Sequence, residues 1–123
     1  MMKKDEKKLE DCPIRRTFNV IGSKWRLLLI EIMRDEKKRY GELKRHIPEI
    51  SEKVLNEELK ALVKDGFLKK KSYPEIPPKV EYSLTEKGEK ILPILDAITL
   101  FSMEYMANGE EVNQTCSTKN THP

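Results

Sequence analysis

The sequence predicts an α+β fold that is mainly helical, and three observations carry that expectation. Apolar residues recur at helical spacing in successive stretches, the pattern of a helix with one buried stripe. In mid-chain, "ISEKVLNEELKALVKDGFL" follows a short helical stretch after only a few residues, so two helices are joined by a tight turn. Directly afterwards, "FLKKKSY" and "KVEYSL" read as two strands around the loop "PEIPP".

Residues 1–11 are almost all charged and are expected to form an N-terminal arm ahead of one domain over 12–107. A first helix is expected from Pro13, whose missing N–H would lack a partner in the first turn anyway. Gly22 would end it in a left-handed cap, with Ile14, Phe18 and Ile21 on one face. Ser23 is the N-cap candidate of the next helix, in which Trp25, Leu28, Leu29, Ile32 and Met33 recur on one side. Leu27 and Ile30 widen that stripe, so this helix should be buried on more than one side, with Trp25 in the core.

Arg39 and Tyr40 are expected to be extended, leading to a short helix over Gly41 to Ile47 that Pro48 ends. Tyr40, Leu43 and Ile47 mark its inner face. Ser51 caps the following helix, Val54, Leu55, Leu59, Leu62 and Val63 form its apolar stripe, and Gly66 follows its last turn. In the hairpin, Val80, Tyr82 and Leu84 alternate as a half-buried strand should, and the stiff loop Pro74 to Pro78 projects beside the preceding helix. A helix-turn-helix followed by such a hairpin is a winged helix, here with a two-stranded wing. Thr85 is the N-cap candidate of the last regular segment, which Pro93 should kink or divide. Ile94, Leu95, Ile98, Leu100, Phe101, Met103, Tyr105 and Met106 offer more apolar surface than one small core can cover. Residues 108–123 are polar and aperiodic, and are expected to be a disordered tail.

Composition narrows the functional classes. The 123 residues are 37% charged and 37% hydrophobic, and no apolar run approaches the roughly 18 residues that span a bilayer. The opening "MMKKDEKKLED" has no apolar stretch of the kind a secretion signal needs, so a cytoplasmic location without a membrane partner is expected. Cys12 and Cys116 are too far apart for a disulfide framework or a CxxC metal site, and neither His46 nor His122 has ligand spacing around it. No metal, no cofactor and no catalysis are expected, since no Ser/His/Asp set, glycine-rich phosphate loop or paired carboxylates stand out. Charge is unevenly placed. Residues 1–79 hold 21 of the 24 Lys and Arg against 14 of the 21 Asp and Glu, whereas the remainder is net acidic. The first two-thirds is therefore the part suited to a polyanion.

The stretches "CPIRRTFNVIGSKWRLLLI", "RYGELKRHIPEISEKVLNEELKALVKDGFLKKKSYPEIPPKVEYSLTEKG" and "LPILDAI" together resemble the HxlR-type transcriptional regulators, relatives of the MarR winged helices. The likeness runs from Cys12 to Tyr105. Its motifs are Cys-Pro before the first helix, Gly-x-Lys-Trp opening the second, Ile-Ser before the recognition helix, and Pro-Pro-x-Val-Glu-Tyr-x-Leu-Thr-x-x-Gly at the wing. The resemblance implies a homodimer on double-stranded DNA with a pseudo-palindromic operator. One recognition helix per subunit would enter each of two successive major grooves, with the wings at flanking minor grooves or backbone. Dimerisation would use the first helix and the C-terminal helices, through Ile14, Phe18, Leu95, Ile98, Phe101 and Tyr105.

Within that frame, Lys53, Asn56 and Glu57 are the candidates for base reading, with Ser51 near phosphate and Lys60 on the same face. Asn can pair with adenine through both its groups, and Glu can accept from cytosine N4. Lys24, Arg26, Arg39 and Lys44 are candidate backbone contacts. On the wing the candidates are Lys69, Lys70, Lys71, Pro77, Pro78 and Lys79, where neutralised phosphates would make affinity salt-dependent. Lys79 stands where the resembled family often has Arg, which reads a narrow minor groove better. Pro74, Pro77 and Pro78 fix φ and remove N–H donors from the tip, discouraging pairing with another sheet. Cys12 lies at a helix start beside Arg15 and Arg16, which favours a thiolate. The resemblance implies a redox, electrophile or small-molecule response through it.

Two other classes stay open. Glu52 and Glu57 place negative charge on the face meant for DNA, which suits a winged-helix protein-interaction module that does not bind specific DNA. A thiol- or metal-dependent enzyme would rest on Cys12 alone.

Overall fold

A computed structural model describes residues 11–106. The charged arm (except Asp11), the polar tail, Cys116 and His122 lie outside the described residues. The elements run α1 (Pro13–Ile21), α2 (Arg26–Ile32), β1 (Lys38–Arg39), α3 (Tyr40–His46), α4 (Glu52–Lys64), β2 (Leu68–Tyr73), β3 (Lys79–Leu84), α5 (Glu86–Glu89) and α6 (Leu92–Tyr105). The architecture is α+β and mainly helical, as expected, with the hairpin loop spanning the five residues between Tyr73 and Lys79.

The core forms where the apolar stripes meet. Leu29 and Ile30 of α2, Leu43 of α3, and Leu55, Leu59 and Leu62 of α4 are fully buried, joined by Phe67, Leu68, Tyr82 and Leu84 from the hairpin side. Trp25 packs partly buried against this cluster, as the sequence predicts.

Local signals fix the helix ends. Ser51 Oγ accepts from Val54 N at 3.1 Å, and Thr85 Oγ1 accepts from Gly88 N at 3.1 Å. Both supply a partner to amides that the helix itself leaves without one. Past α4, Phe67 N reaches back to Leu62 O (2.9 Å) and Gly66 N to Val63 O (3.1 Å), a Schellman closure. That closure needs the left-handed Gly66, whose φ is +88°.

The structure departs from expectation at several points. Gly22 has φ −80° rather than a left-handed value, and its reason is space, because a Cβ there would collide with Phe18 O. Tyr40 is helical rather than extended, because Glu42 Oε1 accepts from Arg39 N at 2.8 Å and so starts α3 one residue earlier. The wing sheet is three-stranded, in the order β1-β3-β2, all antiparallel, with Lys38 opposite Tyr82 and Lys70 also opposite Tyr82. Two residues of β1 are too short a signal for strand alternation, and the pairing that makes them a strand is with a segment far along the chain. Pro93 divides the last segment: α5 ends at Glu89, and α6 carries Pro93 in its first turn.

Candidate nucleic-acid interface

Helix α4 buries Leu55, Leu59 and Leu62 and turns Lys53, Asn56, Glu57 and Lys60 to solvent. Spacings of three and four residues put those polar side chains on one face. Ser51 is engaged as the N-cap of α4, which follows α3 after residues 47–51, so α3 and α4 form the helix-turn-helix. Asn56 lies within reach of the Tyr40 hydroxyl, which also donates to Glu52 O at 3.5 Å. Burial, and next the Glu52 charge, keep that phenol protonated to higher pH than usual.

The wing adds a cationic edge. Lys69, Lys70 and Lys71 are all exposed along β2, and Pro77 and Pro78 are exposed at the loop. Lys79 behaves differently from expectation. Its ammonium sits 3.4 Å from Glu81 and 4.7 Å from the Tyr73 ring centroid, with Lys71 also over that ring at 5.1 Å. Strand alternation with Val80 and Tyr82 puts Glu81 on the outer face, yet it is only 9% exposed. Tyr73 OH donates to it at 2.9 Å, and Lys37 and Lys79 approach at 3.5 and 3.4 Å. These neighbours hold its carboxyl below the ordinary range, the tyrosine hydrogen bond first. Tyr73 stands diagonally across the ladder, since Lys71 is the residue directly opposite Glu81. Strand alternation could have suggested that proximity only if the register had been known.

Of the candidate backbone contacts, Arg39 is exposed, Lys24 is exposed over the Trp25 ring at 4.8 Å, and Lys44 donates to Pro48 O at 3.1 Å. Arg26 is turned inward instead. Its Nε lies 2.6 Å from Glu58 Oε1, its Nη1 donates to Val20 O, and Asp65 is 3.9 Å away. Ser23 Oγ donates to the same Glu58 oxygen at 3.3 Å while accepting from Arg26 N at 3.1 Å. A cation so engaged is not presented to phosphate; it ties α1 and α2 to α4. An arginine two residues after a lysine gives no sequence signal for that role.

Cys12 is a free thiol at the N-cap of α1. The backbone N–H groups of Arg15 and Ile14, followed by the Arg15 charge, pull its pKa below the ordinary thiol value. On the same helix Ile14 and Phe18 are exposed, as are Ile98, Phe101 and Tyr105 on α6, with the Phe101 and Tyr105 rings 5.3 Å apart. Ile14, Phe18, Leu27, Ile94 and Ile98 line an apolar cleft of about 250 Å³ between the two helices. Leu95 is the exception among the expected interface residues: at 7% exposure it belongs to the chain's own core, because it lies on the α6 face turned toward α2. Among the described residues no group of His, Cys, Asp and Glu could hold a metal ion, and no helix is long and apolar enough to cross a membrane.

A family model described as HxlR-like helix-turn-helix matches residues 20–110. BH0655 of Halalkalibacterium halodurans, an uncharacterised HTH-type transcriptional regulator, is 42% identical over 103 residues, covering 83% of this chain and 91% of its own. Among solved structures, a MarR-family transcriptional regulator from Porphyromonas gingivalis W83 superposes with a TM-score of 0.75 at 55% identity, over 78% of this chain and 94% of that one. The redox regulator HypR in its oxidised form gives a TM-score of 0.71 at 40% identity, over 76% and 96%.

Proposed function

The chain belongs to the HxlR-like helix-turn-helix family of transcriptional regulators, and from that premise we propose that it works as a cytoplasmic homodimer on a pseudo-palindromic operator. The observation that carries this reading is the exposed Lys53, Asn56, Glu57 and Lys60 face of α4, flanked by Lys69, Lys70 and Lys71. Ser51, Lys53, Asn56, Glu57 and Lys60 meet the major groove, and Asn56, poised beside Tyr40, reads adenine. Lys24, Arg39, Lys44 and the β2 lysines hold the phosphates, and Pro77 and Pro78 stiffen the tip. The surplus apolar surface of α1 and α6, at Ile14, Phe18, Ile98, Phe101 and Tyr105, is what a second copy covers. Cys12 answers oxidants or electrophiles: its lowered pKa and its place on the helix that carries the dimer face support a thiol switch, and HypR is a redox regulator of the same architecture. The chain does no catalysis of its own.

The test is selection of duplexes from a random library by the full chain. The expected outcome is an inverted repeat with half-sites about one helical turn apart. Asn56→Ala should lose the sequence preference while keeping salt-dependent non-specific binding. No preference, with binding indifferent to salt, would instead favour the protein-interaction reading that Glu52 and Glu57 keep open.

A further inference from the structure

The wing tip carries a feature that phosphate contacts do not use. Ile76, midway along the loop between β2 and β3, is 100% exposed. Isolated apolar side chains on a surface are common and need no function. This one differs in how it is held. Pro74, Pro77 and Pro78 restrict the backbone around it, and Glu75 N donates to Tyr73 O at 2.8 Å, closing the loop's first turn. The side chain is thus presented outward on a short, stiff support, at little further cost in ordering when it meets a partner.

The neighbours select the partner. Three of the five loop residues are prolines and lack N–H donors, so the tip cannot extend a β-sheet of another protein. Glu75 is also exposed there, so phosphate is held back along β2 by Lys69, Lys70 and Lys71, and the contact at the tip itself has to be apolar. Together with the exposed Pro74, Pro77 and Pro78, this five-residue tip is a small area for a protein or bilayer surface, but the Ile76 side chain matches the gap between two base pairs. Ile and Pro are among the side chains that enter the minor groove and part a base step, kinking the duplex.

We propose that Ile76 is a wedge that enters the minor groove flanking the operator half-site and partly unstacks one base step, bending the DNA around the dimer. This rests on the DNA-binding reading above. It adds sequence preference at positions that α4 does not touch, because flexible pyrimidine–purine steps open more readily than others.

The experiment uses a duplex selected by the full wild-type chain, with 2-aminopurine placed in turn at each flanking step, and bending measured by circular permutation. Wild type should raise the fluorescence at one step and bend the duplex. Ile76→Ala should bind about tenfold more weakly, roughly the value of one apolar side chain leaving water. It should also lose both the fluorescence rise and the bend, with the salt slope unchanged. Ile76→Phe should keep both signals, and circular dichroism should show both variants folded, since Ile76 packs against nothing. The wedge is overturned if wild type neither unstacks nor bends its selected duplex, or if Ile76→Ala does both as wild type does. If wild type selects no duplex at all, the DNA-binding reading falls, and the wedge with it.

Discussion

Arg26→Ala should destabilise the fold far more than loss of a surface cation would. The guanidinium makes charge-assisted bonds to Glu58 Oε1 at 2.6 Å and to Val20 O, and the side chains of Arg26 and Glu58 are only 21% and 16% exposed. Truncation leaves the Glu58 carboxylate with Ser23 Oγ at 3.3 Å as its remaining partner in the cluster. Breaking a fully buried ion pair costs about 3–5 kcal/mol, because an uncompensated charge stays behind. Partial access of water to this pair scales that down to about 2–3 kcal/mol. For a domain of this size each kcal/mol lowers Tm by about 4–8 °C, so a drop of about 10–20 °C is expected. The assay is thermal and urea unfolding followed by circular dichroism at one fixed protomer concentration, since the Tm of a dimer would depend on it. A double-mutant cycle with Glu58→Ala should return a coupling of about 1–2 kcal/mol. A cost below about 0.5 kcal/mol, the range of exposed pairs, would refute the claim that Arg26 clamps α4 to α1 and α2.

Replacing Lys69, Lys70 and Lys71 together by Ala should flatten the dependence of log K on log salt by about 0.9 for each phosphate no longer neutralised, read by fluorescence anisotropy. Phe101→Asp, on the exposed face of α6, should leave the secondary structure intact and shift sedimentation at micromolar concentration toward monomer. The folded state holds the Glu81 carboxyl below its ordinary pKa, so this residue adds stability above the unfolded-state value that is lost as pH falls through the folded-state value. Glu81→Gln should therefore remove part of the acid-side loss of stability in unfolding titrations between about pH 5 and 3. Alkylation of Cys12 by iodoacetamide should reach half-maximal rate below the ordinary thiol pKa, and Arg15→Ala should move that midpoint upward.

Much of the fold was legible because its signals are local. The α4 stripe, the Ser51 and Thr85 caps, the place of Gly66 after the last turn of α4 and the length of the wing loop each depend on residues a few positions apart. So does the face proposed to read DNA: once Leu55, Leu59 and Leu62 are assigned inward, helical geometry turns Lys53, Asn56, Glu57 and Lys60 outward. The features that stayed hidden are long-range. Arg26 and Glu58 stand far apart in sequence, as do Arg39 and its strand partner Glu81, and nothing in either neighbourhood announces the other. The same holds for Leu95, which shares its helix with exposed Ile98 and Phe101 but faces α2.

By itself the sequence determined the order and type of the elements other than β1, the apolar stripes and the basic character of the part proposed to meet DNA, because hydrophobic periodicity, caps and charge act over one or two helical turns. Only the tertiary structure decided which cations are drawn to carboxylates of the chain itself. Lys69, Lys70 and Lys71 stay in solvent, whereas Arg26 and Lys79 are drawn to Glu58 and Glu81. The physical reason is that a partly buried carboxylate needs a cation beside it, and which cation is near is settled by packing between segments distant in the chain.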